Sequence, residues 1–173
     1  MDFQLIEENT LKIKIKKTTL ALDPKSSVSK FDADAILLLD KDSDVSRINN
    51  PRVIISGAGE YEVSGLKISA LKAEDDLLYE LSIDFASVLV AKASSLEKVS
   101  SDKLGDYKVA LINVDTDLNQ SKVTAIEPRL VILYGEKAKE GARVLGKEDV
   151  SKSSKISISE DKLPEELEIM LLG

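Results

Sequence analysis

Three aspartates at alternate positions, Asp40, Asp42 and Asp44, follow a short apolar run over 35–39. Acidic oxygens spaced in this way can converge on a hard cation such as calcium or magnesium. Read as a calcium loop, the pattern stops early: Val45 stands where such a loop needs glycine, and Pro51 where it needs glutamate. Asp75 or Asp76, from a charged stretch further on, could complete an oxygen-only site. The competing reading is a solvated loop whose acids cap a following helix. It predicts that removing the three acids is nearly neutral for stability, or stabilising through relief of like-charge repulsion.

Other chemistries are bounded by what the chain lacks. Its 173 residues contain no cysteine and no histidine. That excludes disulfides, thiol nucleophiles, an imidazole general base, a Ser-His-Asp triad and a His- or Cys-ligated zinc ion. A formal net charge of −7 argues against a nucleic-acid partner or an anionic membrane surface, both of which need a basic footprint. No run reaches the length of a membrane span, and no start has the pattern of a signal peptide, so the expected location is cytoplasmic. A hydrophobic content of 43% with 32% charged residues is that of a globular chain. One domain covering 1–173 is expected.

The elements that must position the acids follow from periodicity. Leu11, Ile13 and Ile15 alternate with Lys12, Lys14 and Lys16, the signature of a half-buried strand. Strands are predicted over 3–7 and 10–16, joined by a turn at Glu8-Asn9, and over 18–22, ending at Asp23-Pro24. Further strands are expected over 35–39, 52–56 and 66–71, with a hairpin of 77–83 and 87–91. A short helix over 43–49, capped by Ser43 or Asp42, fits between them. This first half reads as a β-meander. The second half alternates: helix 94–104, strand 108–114, helix 118–126, strand 129–134, helix 136–145 with Gly146 at its end, then strands 156–159 and 167–172. Gly57 and Gly59 read as a turn needing positive φ, because Glu60 and Glu62 would repel a phosphate.

The order of landmarks resembles the metallo-β-lactamase superfamily, in the single-domain branch similar to ascorbate-6-phosphate lactonases and predicted zinc-dependent hydrolases. Four stretches carry the resemblance: Thr19-Leu20-Ala21-Leu22-Asp23-Pro24; Ala33-Asp34-Ala35-Ile36-Leu37-Leu38-Leu39; Gly57-Ala58-Gly59-Glu60-Tyr61-Glu62-Val63-Ser64-Gly65; and Ile126-Glu127-Pro128-Arg129-Leu130-Val131-Ile132. The third is close to that branch's Gly-Pro-Gly-Glu-Tyr-Glu-Val turn, through Gly57, Gly59, Glu60 and Tyr61. The resemblance implies an α/β fold, a four-layer αββα sandwich of two mixed β-sheets.

It also implies a metal site, and there the chain departs. The family's His-x-His-x-Asp-His places its first His on Asp40, its second on Asp42, its Asp on Asp44 and its last His on Val45. A later His falls near 74–76, the bridging Asp near Ala93-Ser94, and the last His near Gly135. Only Asp44 matches. Val45, Tyr134 and Gly135 are then positions of a relic cleft, with Tyr134 read as filling it. The expectation is a protein without cofactor or zinc, a degenerate form acting as a non-catalytic binding or structural protein toward a protein partner or a second copy of itself. The alternative is a hydrolase using calcium, magnesium or manganese on Asp40, Asp42, Asp44 and Asp75.

Overall fold

A computed structural model describes residues 1–7 and 9–173, so the turn expected at Glu8-Asn9 lies partly outside the described residues. In chain order the elements are β1 (Asp2–Glu7), β2 (Thr10–Ile15), β3 (Thr18–Leu22), β4 (Phe31–Asp32), β5 (Ala35–Leu37), β6 (Ile48–Asn49), β7 (Val53–Ile55) and β8 (Gly59–Val63). They continue with β9 (Leu66–Ala73), β10 (Asp76–Ile83), β11 (Ala86–Lys92), α1 (Ala93–Lys98), β12 (Val109–Asn113), α2 (Gln120–Thr124), β13 (Leu130–Tyr134), α3 (Ala138–Val144), β14 (Lys152–Ser153), β15 (Lys155–Ser157) and β16 (Glu168–Leu172).

Among the described residues these strands make two large mixed sheets. The first runs β15-β1-β2-β3-β5-β7 and the second β14-β16-β13-β12-β11-β10-β9-β8. In the first sheet β1, β2 and β3 are antiparallel, whereas β3, β5 and β7 are parallel. In the second, β8 to β11 form a meander, and β11, β12, β13 and β16 run parallel. The first half is therefore not a pure meander. Two parallel crossovers interrupt it, and a parallel pair cannot be closed by a tight turn. The second of these crossovers carries Asp40, Asp42 and Asp44.

The sheets pack face to face over one apolar core. Leu11, Ile13 and Leu22 from the first sheet meet Ile68, Val90, Leu111 and Ile132 from the second. A second core lies on the far face of the second sheet, where Leu89, Ile112, Val131 and Leu133 meet Leu96 of α1, Val123 of α2 and Ala138 and Ala142 of α3. Strands β12 and β13 are buried at every residue. That two-sided burial is why their sequences read as unbroken apolar runs.

The outer face of the first sheet has a thinner cover. Ala21 and Ile36 pack there against Ala33 and Ile48, with Phe31 and Val45 beside them. The helix expected over 43–49 is only a 3-10 turn, Val45–Arg47. Its remainder is used otherwise: Ile48 and Asn49 pair in parallel with Phe31 and Asp32. The cap is Asp44, not Ser43 or Asp42, and its carboxylate accepts from the Ser46 N–H at 3.1 Å. The helices of the second half form in their expected places but are shorter, and residues 101–103 make a separate 3-10 turn. No helix among the described residues is long and apolar enough to cross a membrane.

Candidate functional site

The parallel strands of both sheets end at one mouth of the sandwich. Strand β3 ends there in Asp23, β5 leads through Leu38 and Leu39 to Asp40, and β11 ends in Lys92. Asp23 has a left-handed backbone, φ 46°, and no exposed surface. Its Oδ1 accepts from the N–H groups of Leu39 at 2.7 Å and Asp40 at 2.9 Å, and from the Ser43 hydroxyl at 3.1 Å. The acidic loop is thus anchored from below by one carboxylate oxygen. The other, Oδ2, has no hydrogen-bond partner among the described residues. Burial pushes the Asp23 carboxyl up to about 6, against the hydrogen bond from the Asp40 N–H and with the help of the Asp40 charge.

Tyr79 secures the same loop from the facing sheet. Its hydroxyl accepts from the Leu38 N–H at 3.0 Å and lies 2.8 Å from the Leu38 carbonyl and 2.9 Å from that of Ile55. Above this anchor sits an ion-pair network. The Lys92 ammonium lies 2.8 Å from Asp40 Oδ1, and the Lys25 ammonium 3.1 Å from Asp40 Oδ2. Lys25 also reaches Asp42 Oδ1 at 2.7 Å, and Lys92 lies 3.6 Å from Asp115 Oδ2. Asp115 is itself oriented by the Ser94 N–H and hydroxyl. Burial pushes the Asp40 carboxyl up, but the hydrogen bonds from Lys92 and Lys25 outweigh it and leave the group below the ordinary carboxylate value. Burial likewise lowers both ammonium groups, and their carboxylate partners more than offset it.

The residues singled out in the sequence are only partly brought together. Asp40 and Asp42 share Lys25. Asp44 turns away to Arg47, 3.2 Å distant, and caps the 3-10 turn. Asp75 lies in the β9–β10 turn and joins Leu38, Asp40, Ser56 and Asp76 in lining a shallow hollow of about 300 Å³ beside the mouth. Val45 packs on the outer face of the first sheet, away from the cleft. Tyr134 is wholly buried in the core between the sheets, and its hydroxyl has no partner among the described residues. Burial, with the charges of Asp23, Asp40 and Asp115, pushes that phenol well above its ordinary value.

The glycines divide. Gly59 takes positive φ at 153° while Gly57 does not, and Tyr61 folds back so that its hydroxyl donates to the Gly57 carbonyl at 3.0 Å. Glu60 accepts from the Ser69 hydroxyl at 2.7 Å, so this turn is a structural feature of the β8 edge. Gly135 has φ 95°, and a Cβ there would lie 2.3 Å from Asn113 Oδ1. Gly135→Ala should therefore lower stability by about 2–3 kcal/mol, read as a shift in the urea midpoint.

A metal of the kind the resemblance implies does not fit this donor set. Imidazole is absent from the chain, and both oxygens of Asp40 already hold ammonium groups. Among the described residues no three His, Cys, Asp or Glu side chains are grouped so as to hold a metal ion. The residues missed in the sequence are Asp23, Lys25, Lys92 and Asp115. The available signals were a lysine directly after Asp23-Pro24 and a lysine ending the apolar run 86–91.

No protein-family model matches the chain, and no curated protein matches it in sequence. Solved structures do match. A metallo-β-lactamase superfamily protein of Thermotoga maritima shares 14% identity, with 99% of this chain and 98% of that one covered and a TM-score of 0.75. An isothiocyanate hydrolase from Delia radicum gut bacteria shares 10%, with 92% and 99% covered and a TM-score of 0.61. Igni18, a metallo hydrolase of Ignicoccus hospitalis, shares 11%, with 91% and 99% covered and a TM-score of 0.59. The likeness lies in the path of the backbone: this chain has the metallo-β-lactamase fold, with lysines on the central carboxylate of its mouth.

Proposed function

We propose that the chain is a degenerate, non-catalytic protein of this fold, acting as one domain in the cytoplasm through binding or structural support. One observation carries the reading: the mouth carboxylate that would have to ligate a metal is held on both oxygens by the chain's own ammonium groups. A fold supplies a scaffold, whereas catalysis belongs to the site built on it. The mouth here has the scaffold and a different site. The net charge of −7 favours a protein partner or a second copy over nucleic acid. The alternative, a hydrolase on a carboxylate-held cation, needs Asp40 and Asp42 free of Lys25.

The test is metal content and melting. The purified protein should carry no stoichiometric zinc or manganese, and its melting temperature should be unmoved by EDTA or by added zinc, manganese or calcium. A co-purifying transition metal overturns the reading, as does turnover of a lactone or phosphodiester that stops on chelation.

A further inference from the structure

The end of the sandwich opposite the mouth has a cleft of its own. Strand β3 starts there at Thr18 and β11 at Ala86, and both run from it toward Asp23 and Lys92 at the mouth. Three hairpin turns meet at this end: 16–17 of the first sheet, and 64–65 and 84–85 of the second. Between them lies a cleft of about 260 Å³. Its apolar walls are Ile15, Leu66 and Ile83, three side chains at the margin of the core between the sheets. Ile15 and Leu66 are only 4% and 5% exposed, so a ligand seated here meets the edge of the core itself. The Thr18 hydroxyl, from the first sheet, donates to the Val63 carbonyl of the second at 3.4 Å and joins the sheets beside the cleft.

The rim carries charge. Lys16 reaches from the first sheet to Asp84 on the second, 2.5 Å away, and the two side chains are 67% and 76% exposed. A pair so exposed adds little to stability and is no barrier to entry. Lys17, also on the rim and exposed, has no carboxylate partner among the described residues. Lys16 is engaged by Asp84, which leaves one uncompensated positive charge over apolar walls. That combination complements a monoanion with a hydrocarbon tail. A phosphate dianion would need a second free cation. An apolar cavity of about 150 Å³ holds benzene, so this cleft admits a chain of about six carbons with its charged end at the rim.

We infer that this cleft binds short aliphatic carboxylates, with the hydrocarbon chain against Ile15, Leu66 and Ile83 and the carboxylate on the Lys17 ammonium. Burial of methylenes and one charge-assisted hydrogen bond supply the affinity. A ligand of this size binds in the millimolar range. The site lies at the far end from Asp40, so it goes beyond the reading of the mouth and does not depend on it.

The experiment titrates the protein with butyrate, pentanoate, hexanoate and hexylammonium and follows its backbone amide signals by nuclear magnetic resonance. Hexanoate should move the amides of Ile15, Lys17, Leu66 and Ile83 saturably and leave those of Leu39 and Asp40 in place. From butyrate to hexanoate the affinity should rise about threefold for each added methylene. Hexylammonium, with the same chain and the opposite charge, should not bind. Lys17→Glu, at an exposed side chain, should weaken hexanoate binding about tenfold or more. No saturable shift at the four amides overturns the inference. So does an affinity that ignores chain length, hexylammonium binding as well as hexanoate, or a Lys17→Glu protein that binds hexanoate like wild type. Shifts confined to Leu39 and Asp40 overturn it as well, because the ligand is then at the mouth. The reading of the mouth is judged by metal content and melting in EDTA, so the two failures are distinct.

Discussion

Asp40→Ala is expected to lower the unfolding free energy near neutral pH by about 2 kcal/mol, measured by urea denaturation. The substitution leaves two ammonium groups in the mouth with reduced compensation. Their side chains are only 13% and 18% exposed, so water replaces the lost carboxylate poorly. Fully buried pairs cost about 3–5 kcal/mol when one partner is deleted. The effect is smaller here because Lys25 keeps Asp42 and Lys92 keeps Asp115. The network thus reverses the expectation that the three acids are dispensable. Asp42→Ala, at a side chain 78% exposed, should stay within about 0.5 kcal/mol of wild type. The sign with pH follows from the direction in which each group is displaced. Asp40 is held below its ordinary value, so its contribution is complete above about pH 4 and is lost as pH falls through its folded value. Lys25 and Lys92 are held above theirs, so their contribution is complete below about pH 10.4 and is lost as pH rises further. An Asp40→Ala protein as stable as wild type would remove the network from any account of this mouth.

Asp23→Asn is expected to change the pH dependence of stability in a different window. The folded-state carboxyl is raised to about 6 by burial. The stability linked to its protonated form is complete below about pH 4 and is lost as pH rises through about 6. Moving a carboxyl from its ordinary value of about 4 up to about 6 corresponds to about 3 kcal/mol between those limits. The asparagine variant has no proton to exchange there. Its difference in stability between about pH 4 and about pH 8 should therefore be smaller than that of wild type by about 2–3 kcal/mol. The amide oxygen can still accept from Leu39, Asp40 and Ser43, so the loop anchor is kept. Urea midpoints measured at the two pH values give the result directly, and parallel curves for wild type and variant would show that Asp23 does not titrate as described.

The scaffold is readable from the chain because burial writes itself into periodicity. Strands β12 and β13 are covered on both faces and read as unbroken apolar runs, and β2 shows its lysines at every second residue. The helix expected over 43–49 fails because a local pattern cannot show that Ile48 and Asn49 have a strand partner at Phe31 and Asp32. The two-residue strands β4, β6 and β14 carry too little sequence to be seen at all. At the site, Asp40 is legible as a carboxylate in a loop, and Tyr134 as the end of a buried strand. The counter-ions of Asp40 are not, since Lys25 and Lys92 reach it across 15 and 52 residues of sequence. Charge pairing over such separations leaves no periodic trace, and a lysine after a strand looks the same whether it faces solvent or a carboxylate.

The seating of β15 has a consequence for how the molecule is made. This strand pairs with β1, Phe3 against Ile156, and the amino-terminal ammonium donates to the Ile158 carbonyl at 2.6 Å. Its immediate neighbour β14 belongs instead to the opposite sheet, beside β16. During synthesis β1 therefore keeps an unpaired flank until residues 155–157 have left the ribosome. The segment 152–157 binds one sheet to the other, and until it pairs, the β1 edge of Phe3 and Leu5 must be kept from pairing with foreign strands.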